Sequence, residues 1–306
     1  MQKNRLGKSE LNVSELTLGC MSLGQEQKQA KYIIDFALDH GINHLDTADL
    51  YDFGKNEEVV GKAIKGKRDQ IVLTSKVGNH FNKEEGNWYW DPSEKHITEG
   101  LKDSLKRLQT DYIDFYMLHG GTIEDPIDET IEAFENLKRE GLIRAYGISS
   151  IRPNVIKEYV KRSNIDAVMM QYNILDRRPE EEILDLLHSN NISVLARGPL
   201  AKGMLSNHAA KVISRKGREG FLDYSFEELT NINHDLATLS NETFSLNELA
   251  LKYTLKHPAI ASAVFGASSV EQVEENIVNY RPDPLSDELY SKIKNISKPI
   301  VYSAHR

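Results

Sequence analysis

A chain of 306 residues with 40% hydrophobic and 27% charged residues can bury a large core, which excludes disordered and fibrous architectures. Its formal charge of −8 supplies no basic field, so nucleic acid and membrane surfaces are excluded as partners and any anionic ligand must be held by local groups. A lone cysteine, Cys20, excludes an intrachain disulfide and a multi-cysteine metal site; with no membrane-length apolar run and no apolar segment behind Met1 to Arg5, the expectation is a cytoplasmic protein.

Residues 3 to 17 alternate short strand-like pieces around Gly7-Lys8-Ser9 and read as a hairpin plugging one end of something larger. A strand-then-helix pattern follows: Leu16 to Gly19 with Gln27 to His40, Ile42 to Leu45 with Lys55 to Ile64, Ile71 to Thr74 with Glu94 to Leu108, and Tyr112 to Leu118 with Ile127 to Glu140. It continues with Ile143 to Ile148 and Pro153 to Arg162, Ala167 to Met170 and Pro179 to His188, Ile192 to Ala196 with a late helix at Leu246 to Lys256, and Ala261 to Phe265 with Val270 to Val278. Eight successive units without a linker predict one domain, residues 1 to 306, folded as a parallel (β/α)₈ TIM barrel. No Gly-x-Gly-x-x-Gly follows an early strand, which disfavours a Rossmann sheet.

Two connections are long. Residues 77 to 93 carry Phe81, Trp88, Tyr89 and Trp90, an aromatic concentration expected to wall a substrate pocket. Residues 198 to 244 mix Gly-rich, basic and acidic pieces and read as a partly helical, mobile flap.

In such a barrel the carboxyl ends of the strands converge on one rim, so Asp46, Lys76 and His119 meet there, with Tyr51 one turn beyond the second strand. A phenol is a poor acid at neutral pH unless a nearby ammonium stabilises its anion. Lys76 can supply that charge, Asp46 can keep Lys76 protonated, and His119 can donate a hydrogen bond to a carbonyl oxygen. The histidines His40, His44, His80, His96 and His119 show no paired spacing with carboxylates on one helix, so no metal site is expected.

These residues resemble the aldo-keto reductase family, and the resemblance runs from the N-terminal hairpin to about Asn276. The family's Asp-Thr-Ala-x-x-Tyr stands at Asp46 to Tyr51, its strand-three lysine at Lys76 and its Leu-His pair at Leu118-His119, completing a tetrad of Asp46, Tyr51, Lys76 and His119. The segment that holds the nicotinamide carboxamide matches Gly147-Ile148-Ser149-Ser150, with Ser150 in place of the usual Asn, and a Gln-x-x-Asn region matches Gln171-Tyr172-Asn173. Pro199-Leu200-Ala201-Lys202-Gly203 matches the stretch that lies along the pyrophosphate, and Gly266-Ala267-Ser268-Ser269 through Gln272, Glu275 and Asn276 matches the nucleotide-binding run. Gly19, Met21 and Asp46 complete the implied cofactor contacts. Where many relatives carry an aromatic platform under the nicotinamide, this chain has Arg197-Gly198.

The resemblance implies reduction of aldehyde or ketone carbonyls to alcohols by NADPH, with Tyr51 as proton donor and Tyr51, His119 and the aromatic loop against a small-molecule carbonyl substrate. NADH is expected as the weaker cofactor, since no carboxylate other than Glu275 stands ready for a free ribose hydroxyl. The competing reading, a nucleotide-binding regulatory subunit with little turnover, is opposed by the intact tetrad. A Schiff-base role for Lys76 is opposed by Asp46, which would keep the amine protonated.

Overall fold

The computed structural model describes residues 1–240, 244–278, 280, 281 and 283–306. Its N-terminal hairpin pairs β1 (Lys3–Arg5) with β2 (Asn12–Ser14). The barrel strands are β3 (Leu16–Gly19), β4 (His44–Asp46), β5 (Val72–Val77), β8 (Ile113–Leu118), β9 (Ile143–Ser149), β10 (Ala167–Gln171), β11 (Ser193–Arg197) and β12 (Ile260–Gly266). They form a closed parallel barrel in that order, β12 pairing back onto β3. The connecting helices are α1 (Gln27–Asp39), α2 (Lys55–Ala63), α3 (Glu94–Leu108), α4 (Ile127–Arg139), α5 (Pro153–Arg162), α6 (Ile183–Ser189), α9 (Leu246–Leu255) and α10 (Val270–Ile277). The TIM-barrel expectation is met.

The hairpin is a plug in physical terms. Leu6, Leu11 and Val13 form one buried apolar cluster with Phe115, Met117, Ala145, Ala167, Met169 and Leu195 from the strands, which seals the end opposite the rim. Beside this cluster the barrel strands also carry polar side chains. Ser262, Thr17, His44 and Thr74 form a hydrogen-bonded row across four adjacent strands, with contacts of 2.6, 2.7 and 2.6 Å.

The departures from the expected elements have local causes. Residues 77–93 are not an open loop: β6 (Asn79–Asn82) and β7 (Asn87–Trp90) pair as an antiparallel hairpin in the register Phe81 to Trp88 and Asn79 to Trp90. The expected helix from Pro179 is interrupted. A 3₁₀ turn at Arg178–Glu181 precedes α6, because Glu182, at φ −158° and ψ −27°, leaves the helical region and breaks the path. The long segment after β11 contains α7 (Ala209–Lys216) and α8 (Phe226–Leu239), the latter opened by a Ser225–Glu228 capping box; its residues 241–243 lie outside the described part. α11 (Asp287–Ile296) follows the barrel and has no counterpart in the expected units.

Candidate active site

Strand register assembles the rim. Gly266 pairs with Gly19 and Gly19 with Asp46, while Lys76 sits opposite Met117, one residue before Leu118-His119. On the other side Gln171 pairs with Arg197, and Ser149 faces Met169. Six of the eight barrel strands therefore run one to three residues further than periodicity suggests, β3 and β8 ending as expected, and Asp46, Lys76, Ser149, Gln171 and Arg197 belong to the last two positions of their strands.

Lys76 is fully buried, and its ammonium makes three contacts: Asp46 Oδ2 at 2.9 Å, the Thr47 carbonyl at 2.8 Å and the Tyr51 hydroxyl at 3.2 Å. Asp46 Oδ1 lies 2.8 Å from the same nitrogen without hydrogen-bond alignment. Burial works against both charges: it raises the Asp46 carboxyl, with Lys76 and Arg197 pulling it back. For Lys76, burial depresses the ammonium, but the attraction of Asp46 and Tyr51 outweighs it, so its pKa lies above the ordinary lysine value and the group is charged at neutral pH.

Tyr51 is held over that ammonium by a tight turn, Tyr51–Gly54, in which Asp52 and Phe53 occupy the left-handed region at φ 49° and 51°. Such a conformation costs about 1–2 kcal/mol per residue, so the turn is imposed by its surroundings. The His119 ring meets Tyr51 edge-on, centroids 5.8 Å apart. Burial, with the charges of Lys76 and Arg197, pushes His119 down to about 3, so its imidazole is neutral. Its Nδ1 is buried without a partner among the described residues, and an unmatched acceptor there costs less than an unmatched N–H. The tautomer with the proton on Nε2 follows, which makes His119 a hydrogen-bond donor at the rim.

The aromatic residues divide between the two faces of the β6–β7 hairpin. Asn79, Phe81, Trp88 and Trp90 share one face; Asn79 donates to the His119 carbonyl at 3.4 Å and Phe81 packs on Phe53 at 5.8 Å, so this face is turned to the tetrad. Tyr89 is on the other face, stacked on His80 at 4.8 Å. Trp90 is fixed: its indole nitrogen donates to Asp125 at 2.9 Å, and the ring lies on Gly78 and Gly120, where an added Cβ would come within 2.7 and 3.1 Å of it. Both glycines also have positive φ, 127° and 143°.

The implied cofactor residues form two groups. Arg197 is exposed and donates to Gln171 at 3.2 Å; Gln171 in turn donates to Asp176 at 2.8 Å, and Arg178 holds Asp176 through two contacts of 2.7 Å. Asp176, Arg178 and Tyr302, whose ring lies 5.0 Å from the Arg178 guanidinium carbon, were not read from the sequence, because they carry no local motif and come from the turn after β10 and from the C-terminal segment. The Ser150 hydroxyl accepts from the Arg152 amide at 3.2 Å, whereas Ser149 is half-buried at the end of β9. After β11 the backbone turns back at Gly198 (φ 67°), Ala201 (φ 45°), Lys202 (φ 56°) and Gly203 (φ 92°), with Pro199 buried and Lys202 exposed.

The second group opens α10. Ser269 caps that helix, and the Ser268 amide and hydroxyl both donate to Gln272 Oε1, at 2.9 and 3.2 Å. Glu275 faces His208 at 3.1 Å, and Asn276 is buried, donating to the Gln272 carbonyl and accepting from Asn247, each at 2.8 Å. Gly266 is exposed with Ser22 beside it, Ala267 is buried, and Met21 is exposed beyond Gly19. Exposed Arg197 and Lys202, a turn of backbone in the left-handed region and the amides opening α10 are a donor set that fits a dinucleotide phosphate chain.

The family model described as the aldo/keto reductase family matches residues 15–298. The chain belongs to the aldo/keto reductase family. It is 53% identical to the holo form of aldo-keto reductase AKR11C1 from Bacillus halodurans, with a TM-score of 0.93 over 100% of this chain and 99% of that one. It is also 53% identical to the uncharacterized oxidoreductase YqkF of Bacillus subtilis over the full length of both. An NADH-specific methylglyoxal reductase of Escherichia coli is 32% identical over 90% of this chain and 93% of its own. With the Asp46, Tyr51 and Lys76 cluster in place, the chain is an NAD(P)H-dependent oxidoreductase of this family. Among the described residues no helix is long and apolar enough to cross a membrane.

Proposed function

We propose that this reductase works on small aldehydes and ketones bearing rings or other apolar groups, prefers NADPH over NADH, and uses Tyr51 as the proton donor. The observation that carries the reading is the single ammonium of Lys76, bonded at once to the Asp46 carboxylate and the Tyr51 hydroxyl. Reduced nicotinamide, when bound, supplies a hydride to a carbonyl carbon. The chain's own task is to orient the carbonyl and manage the proton. His119 donates from Nε2 to the carbonyl oxygen, and Tyr51 delivers a proton to that oxygen as negative charge develops on it. Lys76 stabilises the phenolate left behind at 3.2 Å, and Asp46 keeps the ammonium from losing its own proton.

Arg197, Gly198, Pro199, Leu200, Lys202 and Gly203 would hold the phosphate chain, Ser149 and Gln171 the carboxamide, and Gly266 through Asn276 the adenosine end. NADPH preference is supported by Glu275, whose carboxylate is engaged by His208 and so is poorly placed to accept from a free ribose hydroxyl. It is expected to be modest, about tenfold or about 1.4 kcal/mol, because no cation stands at Ser268 or Gln272. Ring-bearing substrates are supported by Trp90, fixed next to the His119 loop, with Phe81 and Trp88 on the same face. A carbonyl panel run with NADPH and with NADH tests these points together. Faster turnover of aromatic than of small aliphatic aldehydes, and a several-fold lower KM for NADPH, are expected; an NADH preference or indifference to the ring refutes the corresponding part.

A further inference from the structure

At the base of the aromatic hairpin, His80, Asp91 and His96 each bring one ligating atom to within 4.8 Å of the other two. We propose that these three side chains form a divalent transition-metal site of the zinc type, whose occupancy ties the β6–β7 hairpin to the start of α3. Two imidazoles and one carboxylate are a nitrogen-rich, borderline-soft set, which suits zinc and disfavours magnesium or calcium. With metal–ligand bonds of about 2.0–2.1 Å, tetrahedral ligands sit about 3.3 Å from one another. His80 Nδ1 and Asp91 Oδ2 are already 3.6 Å apart. The third ligand has about 1.5 Å to close at most, and because an imidazole binds a metal in its own ring plane, the exposed His80 ring must also turn out of its near-parallel stack with His96.

Two further features distinguish the cluster from three polar groups that happen to be neighbours. His96 Nε2 is buried and has no hydrogen-bond partner among the described residues, an unmet valence that a metal, or the imidazole flip that brings it to one, would satisfy. Asp91 is oriented from behind: its Oδ1 accepts from the Ser93 amide at 3.1 Å, which leaves Oδ2 aimed at His80, and the Ser93 hydroxyl accepts from the His96 amide at 3.2 Å. The Asp91 contact is the outer-shell support that ligating carboxylates use, while the Ser93–His96 bond is the N-cap of α3, which fixes the backbone that carries His96. The competing account is a purely aromatic stack, since His80 is sandwiched between Tyr89 at 4.8 Å and His96 at 4.9 Å. Stacking accounts for the ring planes. It does not account for a carboxylate at the edge of the stack beside an unsatisfied nitrogen.

Asp91 directly follows Trp90, and its amide donates to the Gly78 carbonyl at 2.9 Å, so a metal here would also fix the wall next to His119. That consequence rests on the proposed function; the site itself does not, and the test keeps them apart. Metal-free, tag-free full-length protein is titrated with Zn²⁺ in competition with a chromogenic chelator, and with Co²⁺ by visible absorption. One equivalent per chain and the d–d bands of a four-coordinate Co²⁺ are expected. His80→Gln, at an exposed position that should not disturb folding, and Asp91→Asn should each weaken binding at least tenfold, whereas His234→Gln, at an exposed histidine on α8, should not. Absence of a stoichiometric site in the wild type, or binding unchanged by His80→Gln, overturns the proposal whatever the catalytic activity shows.

Discussion

Lys76→Met removes the ammonium on which the rim is built while keeping most of the side-chain volume. Three groups lose their partner: the Asp46 carboxylate, only 4% exposed, the Thr47 carbonyl and the Tyr51 hydroxyl. Stranding one member of a buried ion pair costs about 3–5 kcal/mol. For a chain of 306 residues that corresponds to a fall in Tm of roughly 5–8 °C. The loss should depend on pH in a defined direction. Burial raises the folded Asp46 carboxyl above its ordinary value of 3.8, and without Lys76 it rises further. A group with a raised folded pKa contributes fully below its unfolded value and loses that contribution as pH rises through the folded one, so the variant should be closest to wild type near pH 5 and furthest at pH 8. Asp46→Asn added to Lys76→Met discharges the stranded group and should recover most of the lost stability without restoring activity. Thermal unfolding of the single and double variants at both pH values checks this. A Lys76→Met Tm within about 2 °C of wild type at pH 8, or a double variant no more stable than the single, would refute the ion pair as the structural basis of the site.

Trp90→Ala, which vacates the ring lying on Gly78 and Gly120, should raise KM for aromatic aldehydes several-fold more than for small aliphatic ones in steady-state assays; equal rises would assign the ring to anchoring the hairpin instead. Gln272→Arg removes the acceptor that occupies the Ser268 amide and hydroxyl and adds a cation, so the NADPH-to-NADH ratio of kcat/KM should widen about tenfold, chiefly through KM for NADPH; an unmoved ratio places the 2′-phosphate elsewhere. His119 and His44, both pushed down to about 3 by burial, should stay neutral to pH 5 in ¹⁵N NMR of the imidazoles, with His119 protonated on Nε2; a midpoint near 6.5 for either contradicts their burial. The same shifts mean that stability present above about pH 6.5 is lost on acidification, about 2 kcal/mol for each histidine by pH 5.

The regular alternation of short, largely apolar strand segments with helices made the barrel legible, although Thr17, Asn43, His44 and Arg144 interrupt the strands and α9 is buried nearly all round. The ends of α3 and α5 agree with the expected residues, fixed by Ser93 at the start of one and Pro153 at the start of the other. The strand ends ran further than expected because their last residues are polar: Asp46, Lys76, Ser149, Gln171 and Arg197 look like loop in a hydropathy pattern, yet they stay in the ladder. The tetrad was legible because its members close successive strands. The Asp176–Arg178 support under Gln171 and the approach of Tyr302 were not, since they depend on a turn and a C-terminal segment meeting in space. Likewise His80 and His96 lie on different elements, and only the pairing of β6 with β7 brings them beside Asp91.

The most direct test of the proposed chemistry is Tyr51→Phe, measured as kcat for reduction of an aromatic aldehyde beside the dissociation constant for NADPH from fluorescence quenching. The phenol acts on the substrate oxygen and its hydroxyl contacts Lys76 at 3.2 Å, so kcat should fall about 10²–10⁴-fold while nucleotide affinity changes by less than about threefold. A kcat within about tenfold of wild type, with binding intact, would contradict Tyr51 as the proton donor.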